Sequence, residues 1–141
     1  MIIMAVDLGK ARTGIAICDK LEMLSSPLTQ ISEYNRERLL EKISNLAKEK
    51  KAELIVVGLP KNMDGSEGDS AKGAREIEEK LAEMSGIKVD MQDERGTTIT
   101  AHNYLNFTDT RGKKRKNVVD TVAATIILED YLNKRKNLAN N

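Results

Sequence analysis

Three groups of acidic residues stand where the surrounding pattern calls for a protein core. Asp7 interrupts Met1 to Leu8, a nearly unbroken apolar run of β-prone residues, and an unpaired carboxylate in a strand covered on both faces costs several kcal/mol. Asp120 shares one helical stripe with Ala123, Ala124, Ile127 and Tyr131, the spacing of a face packed against a sheet. Asp93-Glu94 follows a strand-like stretch, Ile87 to Gln92, at the strand end where open α/β sheets do their ligand chemistry. Three acids from separate segments at one sheet edge repel each other unless a cation compensates. Oxygen-only ligands point to Mg2+ or Mn2+, and two such ions about 3.5 to 4 Å apart can activate water and stabilise a leaving oxygen in phosphodiester hydrolysis. Two of the acids have structural alternatives. Asp7 at an exposed strand end would cap the Gly9 turn through an Asx hydrogen bond, and Asp120 in a first helical turn after an Asn117 cap would gain about 0.3 to 1 kcal/mol from the helix dipole.

Each acid has cationic neighbours suited to phosphate. Lys10 and Arg12 follow Asp7, Arg95 follows Glu94, and Arg111, Lys113, Lys114, Arg115 and Lys116 precede Asp120. With 23 Lys+Arg against 22 Asp+Glu the formal net charge is only +1, so a nucleic-acid surface has to be a local patch. The alternatives are a polar turn at 10–12 and a solvated loop at 111–116. Aromatics make up 3% with no Trp, which removes the stacking platforms of single-strand binders. One cysteine, Cys18, and one histidine, His102, are too few for a structural zinc site; Cys18 reads as a small core residue and His102 as structural or surface. No Gly-x-x-x-x-Gly-Lys-Ser/Thr run is present, so a P-loop is unsupported.

The elements that must position these groups are legible in outline. At 141 residues the chain has room for one core, expected over 1–136, with a frayed polar tail at 137–141. Strands are expected over 1–8, 13–18, 26–31, 53–60 and 87–92, the first of them central and forming an antiparallel hairpin with the second. Helices are expected over 35–51, 70–84 with a stop at Gly86, 97–105, and 117–134. A whole helix separates the strand at 53–60 from the first three, which calls for a parallel crossover. The result is a mixed α/β sheet with helices packed on it. No apolar run approaches the length that crosses a bilayer, and the first residues lack a basic region and a cleavage site, so a cytoplasmic protein is expected.

The residues also resemble a known family. Asp7-Leu8-Gly9 with Arg12 and Gly14-Ile15-Ala16, Val56 to Pro60 with Asn62 to Gly68, Asp93-Glu94-Arg95 with Thr97-Thr98 and Ala101, and Val119-Asp120 with Ala123-Ala124 and Ile127-Leu128 are similar, in order and over nearly the whole chain, to the YqgF/RuvX family of the RNase H-like superfamily. The resemblance implies an RNase H-like fold with a five-stranded sheet, three strands antiparallel and then two parallel. It implies that Asp7, an acid of Asp93-Glu94 and Asp120 hold two divalent ions. It also implies a nuclease acting on structured nucleic acid, with 16S rRNA precursor processing, and hence ribosomal particles as partners, favoured over Holliday-junction resolution. Strand alternation puts Asp93 and Glu94 on opposite faces; the resemblance and the longer reach favour Glu94. Two departures stand out: Gly96 replaces the family's large apolar residue after Asp-Glu-Arg, and Lys10-Ala11 replaces Thr-Lys before Arg12, which makes Arg12 the firmer phosphate ligand.

Rival readings are a binding protein that keeps the fold without catalysis, and an actin-like nucleotide-binding protein. The second normally needs two copies of such a domain, and 141 residues supply one. The state in solution is expected to be monomer or homodimer; paired cleavage of a junction would demand a symmetric dimer.

Overall fold

A computed structural model describes residues 1–9, 12–94 and 112–139, with the side chains of 112–120 and 139 excepted. Five strands, β1 (Ile3–Leu8), β2 (Arg12–Cys18), β3 (Ser25–Ser32), β4 (Leu54–Leu59) and β5 (Lys88–Asp93), form one sheet in the order β3-β2-β1-β4-β5. β1 is central: it pairs antiparallel with β2 and parallel with β4, and β5 extends the parallel half. β3, which contains Pro27, is an edge strand, where a missing N–H is tolerated.

Alternation along each strand divides the core in two. On one face Met4, Val6, Ile15, Ile55 and Val57 pack under α1 (Arg36–Glu49) and α2 (Asp69–Ser85) through Leu40, Ile43, Ile77 and Leu81. On the other, Ile3, Ala5, Ala16, Leu54 and Val56 pack under α3 (Gly112–Ala139) through Ala124, Ile127, Leu128 and Tyr131. The Asn35 side chain caps α1 by accepting from the Arg38 N–H at 3.0 Å. Gly86, at φ +70°, ends α2 in the left-handed conformation expected of a glycine stop. Ile43 is fully buried between α1 and the sheet. Ile43→Ala is expected to cost about 2–5 kcal/mol, measured as the drop in unfolding free energy in a urea titration.

The last helix differs from the expected one at both ends. It begins at Gly112 and runs to Ala139, so 113–116 and 137–139 are helical and Asn117 lies inside the helix rather than before its start. The lysines and arginine of 113–116 are good helix formers whose charge looks like that of a loop. The helix expected over 97–105 lies outside the described residues. Among the described residues no helix is long and apolar enough to cross a membrane.

Candidate active site

Asp7 lies on the α3 face of β1, because it continues the Ile3, Ala5 alternation beneath that helix. Only 9% of its surface is exposed, so it does not stand at a solvent-facing strand end. On β5 the α3 face is marked by Asp90, which accepts a 2.7 Å hydrogen bond from the Tyr131 hydroxyl. Strand pairing continues past β5, with the Glu94 N–H donating to the Leu59 carbonyl at 3.1 Å. Glu94 therefore joins Asp90 and Gln92 on the α3 face, while Asp93 falls on the α2 face with Val89 and Met91.

Between these acids runs β4, and its residue at that level is Gly58. A Cβ on Gly58 would stand 2.5 Å from Glu94 Oε2 and 2.8 Å from Ile127 Cδ1. The missing side chain is the space into which the Glu94 carboxyl folds back, and there it shares a hydrogen bond with Asp7. A glycine inside an otherwise apolar strand signals such a close approach, a signal that the following Pro60 masks by inviting a turn reading. The 62–66 segment is a turn: Asp64 Oδ1 accepts from the Ser66 N–H at 2.9 Å, and the Asn62 amide donates to Ser66 Oγ at 2.9 Å.

Burial, the neighbouring Asp7 charge, the hydrogen bond to Asp7 and the Asp93 charge together push the Glu94 carboxyl up to about 9. Two carboxyls so placed share a proton unless a cation replaces it. Between its ordinary 4.5 and about 9, Glu94 keeps in the folded protein a proton that the unfolded chain releases. Stability therefore falls as pH rises through that window, by at most about 1.4 kcal/mol per pH unit. In EDTA, melting temperature is expected to fall steadily from pH 5 to 9; Mg2+ should flatten that decline, as thermal melts at each pH would show.

The residues fit a hard divalent cation. The donors are oxygens only, Gly58 leaves a cradle that a Cβ would fill, and among the described residues the buried amide oxygen of Gln92, Oε1, has no hydrogen-bond partner. Among the described residues no cluster of three His, Cys, Asp or Glu side chains forms. Asp120 lies in the third turn of α3, two turns before Ile127; this excludes the first-turn dipole alternative and sets its backbone on the stripe that crosses Gly58. Arg12 opens β2 and is half-buried. Lys10, Arg95, His102 and Arg111 lie outside the described residues. Lys113, Lys114, Arg115 and Lys116 occupy the first turns of α3, which hold no acid. Cations at a helix N-terminus oppose its dipole, so they gain most when an anion binds there.

Solved structures with this fold include Thermus thermophilus RuvC in complex with a Holliday junction substrate, at TM-score 0.62 and 13% identity over 97% of this chain and 96% of that one. Fowlpox virus resolvase with its junction DNA follows at TM-score 0.60 and 10% identity, covering 95% and 98%. The fold is that of the RuvC-type, RNase H-like class. A family model described as "RuvX: Holliday junction resolvase" matches residues 1–134. Proteins from Clostridium botulinum strain Alaska E43 and Halothermothrix orenii, each named "Putative pre-16S rRNA nuclease", are 42% identical over 134 and 138 residues, covering 95% and 98% of this chain and 98% and 99% of theirs. This chain belongs to the RuvX family. The family is one of nucleases by the names its members carry, and the expected RNase H-like sheet is borne out strand for strand.

Proposed function

We propose that the chain is a divalent-metal-dependent endonuclease that hydrolyses phosphodiester bonds of structured nucleic acid, acting in the cytoplasm on the 5′ end of the 16S rRNA precursor. The observation that carries this reading is the Asp7–Glu94 carboxyl pair, held together over Gly58 with Glu94 pushed up to about 9. Asp7, Glu94 and Asp120 are the residues that would hold two Mg2+ or Mn2+ ions, which when bound supply charge compensation, water activation and stabilisation of the leaving oxygen. Glu94 gives up its proton as the site loads, and Asp7 keeps its carboxylate fixed by burial. Arg12, Lys10, Arg95, Arg111 and the 113–116 turns hold the phosphates on either side of the scissile bond. No covalent intermediate is required. The full-length match to relatives named for the rRNA precursor supports that substrate and ribosomal particles as the setting; residues 1–136 act as one unit.

Labelled 16S precursor and a four-way DNA junction, each incubated with the purified protein and Mg2+ or Mn2+, test this. Cleavage of the RNA alone is expected. Paired cuts in the junction would reassign the protein to recombination, acting as a homodimer, and binding of both substrates without cleavage would overturn the enzymatic reading.

A further inference from the structure

One row of the sheet runs through Asp7. Gly14 pairs with Asp7 on β2 and Gln30 with Gly14 on β3. On the other side Gly58 is one step beyond the Val6–Val57 pair, and Gln92 pairs with Gly58 on β5. Directly opposed residues of neighbouring strands project to the same face, so the row reads Gln30, Gly14, Asp7, Gly58, Gln92 beneath α3. Among the described residues, the two glutamines that end it carry the two buried side-chain oxygens without a hydrogen-bond partner. The only bond of the Gln92 side chain among the described residues is a long 3.5 Å donation from its amide nitrogen to the Asp93 carbonyl.

A buried acceptor without a donor destabilises the fold; Gln92 shares its row with Asp7 across Gly58 and its face with Glu94, and the proton of that carboxyl pair is taken up in the bond between them. What such a group lacks is a donor carried in from solvent. Mg2+ and Mn2+ keep several waters when bound by few carboxylates, and those waters are strong donors. We propose that Gln92 is a positioning residue for the ion site: its amide oxygen accepts from the hydration shell of a divalent ion held by Asp7 and Glu94 across Gly58. The proposal rests on the metal-dependent reading above. Gln30 lies beyond Gly14, away from Glu94, and serves as the internal control.

The test is Mn2+ titration of the substrate-free full chain, followed by the paramagnetic resonance signal of free Mn2+, beside thermal melts in EDTA. Gln92→Met keeps the volume and removes the orphaned oxygen. It is expected to melt a few degrees higher than wild type in EDTA, yet to bind Mn2+ about tenfold more weakly. Gln92→Ala should show the same loss of affinity. Gln30→Met should share the gain in EDTA and keep Mn2+ affinity within about twofold. Unchanged affinity in both Gln92 variants, or an equal loss in Gln30→Met, would overturn the assignment while Asp7→Asn still abolished binding. No Mn2+ binding by wild type would overturn the metal-dependent reading along with it.

Discussion

Asp7→Asn is expected to lose RNA cleavage by about a thousandfold or more while melting no lower than wild type in EDTA at pH 8. The two outcomes have one origin. Asp7 is buried against Glu94, and its charge is the second-largest cause, after burial, of the Glu94 shift to about 9. Replacing it by the neutral amide of the same shape removes a repulsion that the empty fold has to carry, so stability does not suffer. The same change removes a charged oxygen from the ion site, and loss of several kcal/mol of transition-state stabilisation corresponds to at least about three orders of magnitude in rate. Single-turnover cleavage and a melting curve on one preparation check both halves. A mutant that cleaves like wild type would remove Asp7 from the site, and one that unfolds would make it a structural residue.

Gly58→Ala is expected to damage both fold and chemistry, in contrast to Asp7→Asn. Its Cβ would meet Glu94 Oε2 at 2.5 Å and Ile127 Cδ1 at 2.8 Å, contacts that cannot persist. Ile127 is fully buried in the α3 core, so Glu94 is the side that moves, away from Asp7. Overpacking of this kind costs about 1–3 kcal/mol, and displacement of a site carboxylate by about 1 Å costs on the order of a hundredfold in rate. Gly58→Val should be worse on both counts. Denaturant titration and cleavage rates separate the two effects. Wild-type activity in Gly58→Ala would show that Glu94 works from another position.

From sequence, Gly58 reads as part of the strand at 53–60 and of the Val56–Pro60 block that carries the resemblance; the strand order β1-β4-β5 is what shows that it lies between two acids. Asp7 was legible because a single carboxylate in a doubly covered apolar strand is costly to bury, although capping of the Gly9 turn at an exposed strand end explained it equally well until burial was known. Of Asp93 and Glu94, the resemblance and the longer reach favoured Glu94; strand alternation alone left the choice open until the Glu94 N–H to Leu59 carbonyl bond carried the pairing one residue past the apolar pattern. The two parallel strands and the two-sided core were legible because fully covered strands read as continuous apolar runs. The start of α3 was not, because four consecutive cations carry no apolar period, and their charge concealed residues that prefer helix. Gln92 gave no signal at all in the sequence, since an amide on an outer parallel strand is ordinary until the row it occupies is known.

The central claim is that the Asp7–Glu94 pair holds a proton until a divalent ion takes its place. Calorimetric titration of Mn2+ into the protein at pH 8, repeated in two buffers of different ionisation enthalpy, counts the protons released on binding. Release of about one proton per protein is predicted, because Glu94 near 9 is mostly protonated at that pH and must lose its proton to become a ligand; Asp7→Asn should abolish the binding. Binding with no proton released, or undiminished binding by Asp7→Asn, would contradict the account.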